Sequence, residues 1–107
     1  MNVTESFTAM VESFSPSAAG NMKKTLQWNI TGEETGKYAV KVENGICELI
    51  TGGVEKPDIT FTIADKDWLQ VTEGTLDPMK AFTSGKLKMA GNMMLAMKIP
   101  QLFPARR

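Results

Sequence analysis

Alternation of apolar and polar side chains through the middle of the chain leaves little choice of fold. Over residues 25–31, Leu26, Trp28 and Ile30 fall on one side and Gln27 and Asn29 on the other. That two-residue period marks a strand with one buried face. After the charged turn Glu33-Glu34-Thr35-Gly36, Tyr38, Val40 and Val42 oppose Lys37, Ala39 and Lys41. Asn44-Gly45, the dipeptide most typical of a two-residue hairpin, joins this run to Ile46–Thr51. Gly52-Gly53 and Lys56-Pro57 end the meander. A fourth run, Ile59–Ala64, sets Ile59, Phe61 and Ile63 against Thr60 and Thr62. Such a sheet has one apolar face that must be covered and one that tolerates water.

Helical signals lie on either side. Val3, Phe7, Met10, Val11 and Phe14 recur at helical spacing over residues 2–14, and Asn2 with Glu5 has the form of a capping box. Ser15-Pro16-Ser17 breaks that helix, and residues 18–22 suit a short second turn. Asp65 is placed to cap a helix over residues 66–72 that Gly74 stops. Asp77-Pro78 opens a short helix ending at Gly85. Leu87 and Met89 then form a short strand. Asn92 caps a last helix over residues 93–98, which Pro100 ends or kinks. Helix, three strands, a crossover to a fourth, short helices, strand and helix describe an α+β domain, with helices packed on one face of a mainly antiparallel sheet.

A chain of 107 residues suits a single domain over residues 1–107 and buries a core without covalent staples. No apolar run approaches the roughly 20 residues of a membrane span. The first residues lack the basic start and apolar core of a secretory signal, so the sequon Asn2-Val3-Thr4 carries little weight. A lone Cys47 excludes an internal disulfide and suits a reducing compartment. The expected location is the cytoplasm.

The usual apparatus of catalysis is missing. There is no histidine, the commonest acid–base group and metal ligand. Cys47 falls within a strand with no imidazole to activate it. Glu33-Glu34 and the pair Asp65 and Asp67 sit in turns or at helix starts, where acids are ordinarily solvated or capping. Four zinc ligands cannot be assembled. Gly85-Lys86 is followed by Leu87 instead of the Ser or Thr a phosphate loop needs. Few aromatics accompany the lysines, so no nucleic-acid platform is expected. The expectation is a protein that is not an enzyme and needs no cofactor, metal or nucleic acid.

Charge and methionine are unevenly spread. Residues 79–107 hold six basic residues and no acid, whereas residues 1–78 hold six basic against twelve acidic ones. A tail of that sign suits an anionic lipid surface or an acidic partner, unless folding mixes the two halves. Met89, Met93, Met94 and Met97 fall within nine residues. Flexible and polarisable, methionine serves adaptable binding surfaces and also fills gaps in cores.

Several stretches resemble the sterol carrier protein type 2 family, also called the sterol-binding domain. They are LQWNITGEETGKY (26–38), KPDITFTI (56–63), DKDWL (65–69), GTLDPMKAFTSGKLKMAGNMMLAMK (74–98) and the closing Leu102-Phe103. The likeness spans nearly the full chain, and residues 77–92 are its most specific part. It implies a five-stranded, mainly antiparallel sheet, helices covering one face and an apolar tunnel between. It also implies non-catalytic binding and transfer of fatty acid, fatty acyl-CoA, sterol or phospholipid, without a cofactor. Carried onto this sequence, the first helix contributes Phe7, Met10, Val11 and Phe14. The strands contribute Trp28, Phe61, Ile63, Leu87 and Met89. The later helices contribute Trp68, Phe82, Met93, Met94, Met97, Leu102 and Phe103. For each of these, plain core packing is the simpler role. Lys86, Lys88 and Lys98 are candidates to hold an anionic headgroup or touch an anionic membrane.

Two departures bear on the likeness. Peroxisomal members end in a targeting tripeptide, whereas this chain ends Pro104-Ala105-Arg106-Arg107, which fits a cytoplasmic, stand-alone prokaryotic domain. Pro100 also interrupts the last helix, which leaves a tunnel mouth more open or completed by a second chain in a homodimer. Two alternatives stand beside lipid carriage. One is an interaction module whose apolar groove docks a partner protein or a second copy, and the other is an enzyme domain working without histidine.

Overall fold

A computed structural model describes residues 2–103, and its alternating segments are strands. In chain order the elements are α1 (Val3–Glu12), α2 (Pro16–Ala19), β1 (Lys24–Thr31), β2 (Gly36–Glu43), β3 (Ile46–Thr51) and β4 (Ile59–Ala64). They continue with α3 (Asp65–Glu73), α4 (Pro78–Thr83), β5 (Leu87–Gly91) and α5 (Met93–Leu102). The strands form one sheet in the order β3-β2-β1-β4-β5. β1 pairs parallel with β4, and the other three pairings are antiparallel.

Register brings the apolar positions into rows. Tyr38, Trp28, Phe61 and Met89 are successive partners across β2, β1, β4 and β5. Leu49, Val40, Leu26, Ile59 and Gly91 form the next row across all five strands. These rows face the helices and hold most of the core. The opposite face carries Lys37, Asn29, Thr62 and Lys88 in one row, as the strand alternation requires. At the β2–β3 hairpin, Asn44 and Gly45 both take positive φ, 55° and 72°, as a type I′ turn demands.

The chain from β3 to β4 must pass two strands, and it does so over the open face. Gln27 holds it there, its Oε1 accepting the Val54 N–H at 2.8 Å while its Nε2 donates to Asn29 Oδ1 at 2.9 Å. A glutamine on the solvent side of the sheet is thereby buried.

The helix caps follow the sequence in three places. Asn2 Oδ1 accepts the Glu5 N–H, and Glu5 Oε1 accepts the Asn2 N–H, completing the capping box of α1. Asp77 and Asn92 accept from the second residue of α4 and α5, at Met79 and Met94. α1 stops at Glu12, two residues short of Phe14, because Ser13 turns its hydroxyl back onto the Met10 carbonyl.

Two expectations need correction. Asp65 is the first residue of α3 and Ala64 its cap, because the Asp65 carboxylate serves the β1–β2 turn as well as its own helix. Its Oδ2 accepts the Glu34 N–H and its Oδ1 the Lys66 N–H, both at 2.8 Å. Glu34 in turn accepts the Val3 N–H at 3.0 Å, so one turn ties the starts of α1 and α3. Second, α5 runs through Pro100 to Leu102. Proline removes one helical N–H, yet burial of Leu102 and Phe103 and the bond from Phe103 N–H to the Ile99 carbonyl at 2.8 Å hold the last turn.

The Glu34 N–H, aided by that of Lys66 and opposed by burial, holds the Asp65 carboxyl below its ordinary value. A depressed folded pKa contributes stability that is full above the unfolded value near 4 and lost as pH falls through the lower folded value. Asp65→Asn is therefore expected to lower the urea midpoint at pH 7, with the gap closing at pH 3. A gap as wide at pH 3 would show that the charge of Asp65 is not its source.

Candidate functional site

The layer between helices and sheet has two unlike halves. Under α1 and α3 it is a stack of rings. Phe7 from α1 lies between Tyr38 and Trp68, with centroids 4.5 and 4.7 Å away and planes within 15° and 12° of parallel. Trp28 meets Phe7 edge-on at 5.6 Å and stacks on Phe61 at 5.0 Å. Polar tips are satisfied: Trp68 Nε1 donates to Ser6 Oγ at 2.8 Å, and the Tyr38 and Thr4 hydroxyls pair at 3.1 Å. All five rings are buried. Offset and edge-on pairs of this kind add to area burial, so this half is a rigid floor.

Toward α5 the layer is less completely buried. The row Tyr38, Trp28, Phe61 ends in Met89 on the edge strand, which is only half-buried. Leu95, Ile99 and Leu102 follow the spacing of one helix face and turn inward; Leu95 and Leu102 are buried and Ile99 is partly so. Met10 and Val11 of α1, Phe14 just beyond it, and Ala96 are likewise part-buried against the core. The two ends of the layer close where Phe14 meets Phe103 at 5.7 Å and the Ser15 N–H donates to the Leu102 carbonyl at 2.8 Å.

Of the positions suggested by sequence, Phe7, Trp28, Phe61, Ile63, Trp68, Leu87, Leu102 and Phe103 are buried in one core with Met10, Val11, Phe14 and Met89 at its margin. Phe82, Met93, Met94 and Met97 are not brought to it. They are 38%, 43%, 71% and 79% exposed. For the three methionines the reason is helical phase: α5 turns the Leu95, Ile99 and Leu102 stripe inward, which puts the methionine stripe on the outer side. Leu95, Ile99 and Tyr38 were the residues sequence reasoning missed. Their signals were the 95, 99, 102 spacing and the phase shared by Tyr38 with Trp28.

The lysines do not converge either. Lys88 stands with Thr62 on the open face of the sheet, Lys86 precedes β5, and Lys98 lies on α5. Arg106 and Arg107, part of the basic tail, lie outside the described residues. On the open face, Gln27, Asn29, Lys37, Gly53, Glu55 and Thr60 border a polar cleft of about 510 Å³. No acyl chain would gain by entering it, because its lining groups need water or hydrogen-bond partners. Cys47 lies half-buried on β3, and burial pushes its thiol up to about 11. It is therefore protonated at neutral pH and a poor nucleophile.

Among the described residues, no helix is long and apolar enough to cross a membrane. Comparison with known proteins agrees with this geometry. Sterol carrier protein 2 of Oryctolagus cuniculus is 42% identical over 71 residues, which cover 66% of this chain and 13% of that protein. The chain thus spans about an eighth of the length of that relative. The solution structure of sterol carrier protein domain 2 of Helicoverpa armigera is 31% identical, with a TM-score of 0.74 over 92% of this chain and 82% of that one. The same fold recurs in a double mutant of the sec-alkyl sulfatase PisA1, where a TM-score of 0.88 accompanies 18% identity over 100% of this chain and 17% of that one. Residues 10–104 match the family model described as the SCP-2 sterol transfer family. With that match over nearly its whole length, and with the five-stranded sheet covered on one face, the chain belongs to the SCP-2 sterol transfer family.

Proposed function

We propose that this chain binds one apolar lipid, without catalysis, between α5 and the inner face of the sheet. The ligand class is an acyl chain or sterol: fatty acid, fatty acyl-CoA, phospholipid or sterol. The observation that carries the reading is the contrast within the apolar layer. A buried stack of rings passes into a margin of Met10, Phe14, Met89 and Ile99 that is only half-buried. Family membership supports the same class of ligand.

The energetics allow it. Removing methylenes from water yields about 0.8 kcal/mol each, so fifteen of them yield roughly 12 kcal/mol. Lifting Leu95, Ile99 and Leu102 off the sheet costs about 1.5–3 kcal/mol per side chain if each went to water, and less when the ligand takes the place of the sheet. Pro100 eases that movement, because it gives the Ala96 carbonyl no helical N–H to accept.

Native mass spectrometry of the purified protein, followed by extraction and lipid identification, tests the proposal. The expected result is one lipid per chain, or uptake of one labelled fatty acid by the apo protein. An apo mass with no uptake of fatty acid, acyl-CoA or sterol would contradict it.

A further inference from the structure

The polar cleft on the open face of the sheet holds groups that lipid binding does not use. Its floor comes from three strands: Lys37 on β2, Gln27 and Asn29 on β1, and Thr60 on β4. Register sets Lys37 opposite Asn29 and Gln27 opposite Thr60, on the face away from the helices. Its wall is the crossover over residues 52–57, tied down by its own backbone. The Gly52 N–H donates to the Lys37 carbonyl at 2.8 Å, and the Val54 N–H to Gln27 Oε1 at 2.8 Å. Between them a Cβ on Gly53 would lie 2.8 Å from Gln27 Oε1, so the wall reaches the floor only through glycine. The cleft of about 510 Å³ is thus built from fixed backbone, at a size suited to a small molecule.

Hydrogen bonding determines what the cleft offers. Because Val54 presents an N–H, Gln27 turns Oε1 toward it and Nε2 toward Asn29. Asn29 answers with Oδ1, which leaves its Nδ2 as a donor. Among the described residues neither Asn29 Nδ2 nor the Thr60 hydroxyl has a partner, and no unpartnered side-chain polar atom is buried. Both groups are therefore accessible. Lys37 and Glu55, the charged residues lining the cleft, are exposed and form no salt bridge among the described residues. Val54 and Pro57, both half-buried, add a small apolar wall. No aromatic ring among the described residues lines the cleft, so a base or sugar has nothing to stack on.

We propose that this cleft binds a small apolar α-amino acid. The ligand's carboxylate accepts from the Lys37 ammonium, Asn29 Nδ2 and the Thr60 hydroxyl, and its ammonium meets the Glu55 carboxylate. Its side chain lies against Val54 and Pro57. One charge of each sign, flanked by neutral donors, suits a zwitterion, and charge-assisted bonds are the strong ones. The cleft is on the opposite face of the sheet from the apolar layer, so this site and the lipid site stand or fall separately.

The test is titration of the nitrogen-15-labelled chain with L-valine, followed by NMR. Isovalerate and isobutylamine serve as probes that lack the ammonium and the carboxylate. Saturable shifts are expected at the side-chain amides of Gln27 and Asn29 and the backbone of residues 52–55, with each truncated probe about tenfold weaker or more. N29D keeps an acceptor for Gln27 Nε2 but removes the donor, and it is expected to weaken L-valine about tenfold. K37Q is expected to weaken L-valine and isovalerate alike, whereas E55Q weakens L-valine and leaves isovalerate unchanged. Both substitutions are at exposed positions and are expected to fold as the parent does. Absence of saturable shifts, shifts outside the cleft, or L-valine affinity unchanged in K37Q and E55Q would overturn the proposal. So would equal affinity for L-valine and isovalerate, which assigns the cleft to simple carboxylates.

Discussion

Phe7→Ala is expected to lower the free energy of unfolding by about 3–5 kcal/mol, the usual cost of emptying a buried aromatic site. For a domain of this size that is a large part of a total of about 5–15 kcal/mol. The position justifies the upper half of the range. Phe7 is fully buried and its ring contacts Tyr38, Trp28 and Trp68 at once. Removing it leaves a void bounded by rings on two strands and a helix, which cannot collapse without breaking the Trp68 to Ser6 hydrogen bond. Urea unfolding followed by far-UV circular dichroism reads the loss. Met94→Ala, at an exposed position, is expected to shift stability by less than about 0.5 kcal/mol. A Phe7→Ala variant as stable as Met94→Ala would mean that the ring stack is not what holds α1 to the sheet.

Gly91→Ala is the second large effect, expected to cost about 2 kcal/mol or more. Gly91 ends β5 with φ near +116°, a region that side chains rarely enter. A Cβ there would lie 2.5 Å from the Asp58 carbonyl oxygen and 2.9 Å from Ile59 Cα. Both atoms belong to backbone that cannot retreat, because the Asp58 carbonyl accepts the Asn92 N–H at 2.9 Å and the Asp58 N–H donates to the Thr25 carbonyl at 2.8 Å. The Asp58 carboxylate also accepts the Thr25 N–H at 2.7 Å. The strain therefore falls where β1, β4, β5 and the start of α5 are joined. Hydrogen exchange should show β5 and α5 losing protection first in Gly91→Ala, with α1 and β2 nearly unchanged. Uniform loss of protection would mean that the C-terminal segment does not open as a separate unit.

Local chemistry was legible in the sequence. Asn2 with Glu5, Asp77 with Pro78, and Asn92 each announced a helix start, and Asn44-Gly45 announced its hairpin, because those partners lie within a few residues. The alternation in Thr25 to Ala64 told which strand face is buried. It could not tell that β4 lies beside β1 in parallel, since that choice depends on residues thirty positions apart. Asp65 was misread for the same reason: its partner Glu34 is 31 residues away. α5 shows a further limit. A helix with apolar stripes on both sides does not declare which one faces in, and the cluster of methionines drew the eye from the Leu95, Ile99 and Leu102 stripe. Family resemblance named the ligand class, but it carried Phe82, Met93, Met94 and Met97 to an interior they do not reach.

The most direct measurement of where lipid binds is a set of isotope-edited nuclear Overhauser contacts between a bound fatty acid and the methionine methyl groups. The structure packs Met10 and Met89 against the margin of the core and leaves Met79, Met94 and Met97 exposed. Contacts from the acyl chain to Met10 and Met89, with none to Met94 or Met97 in vesicle-free solution, are the expected result. Contacts confined to Met94 and Met97, with Met10 and Met89 silent, would contradict an interior site.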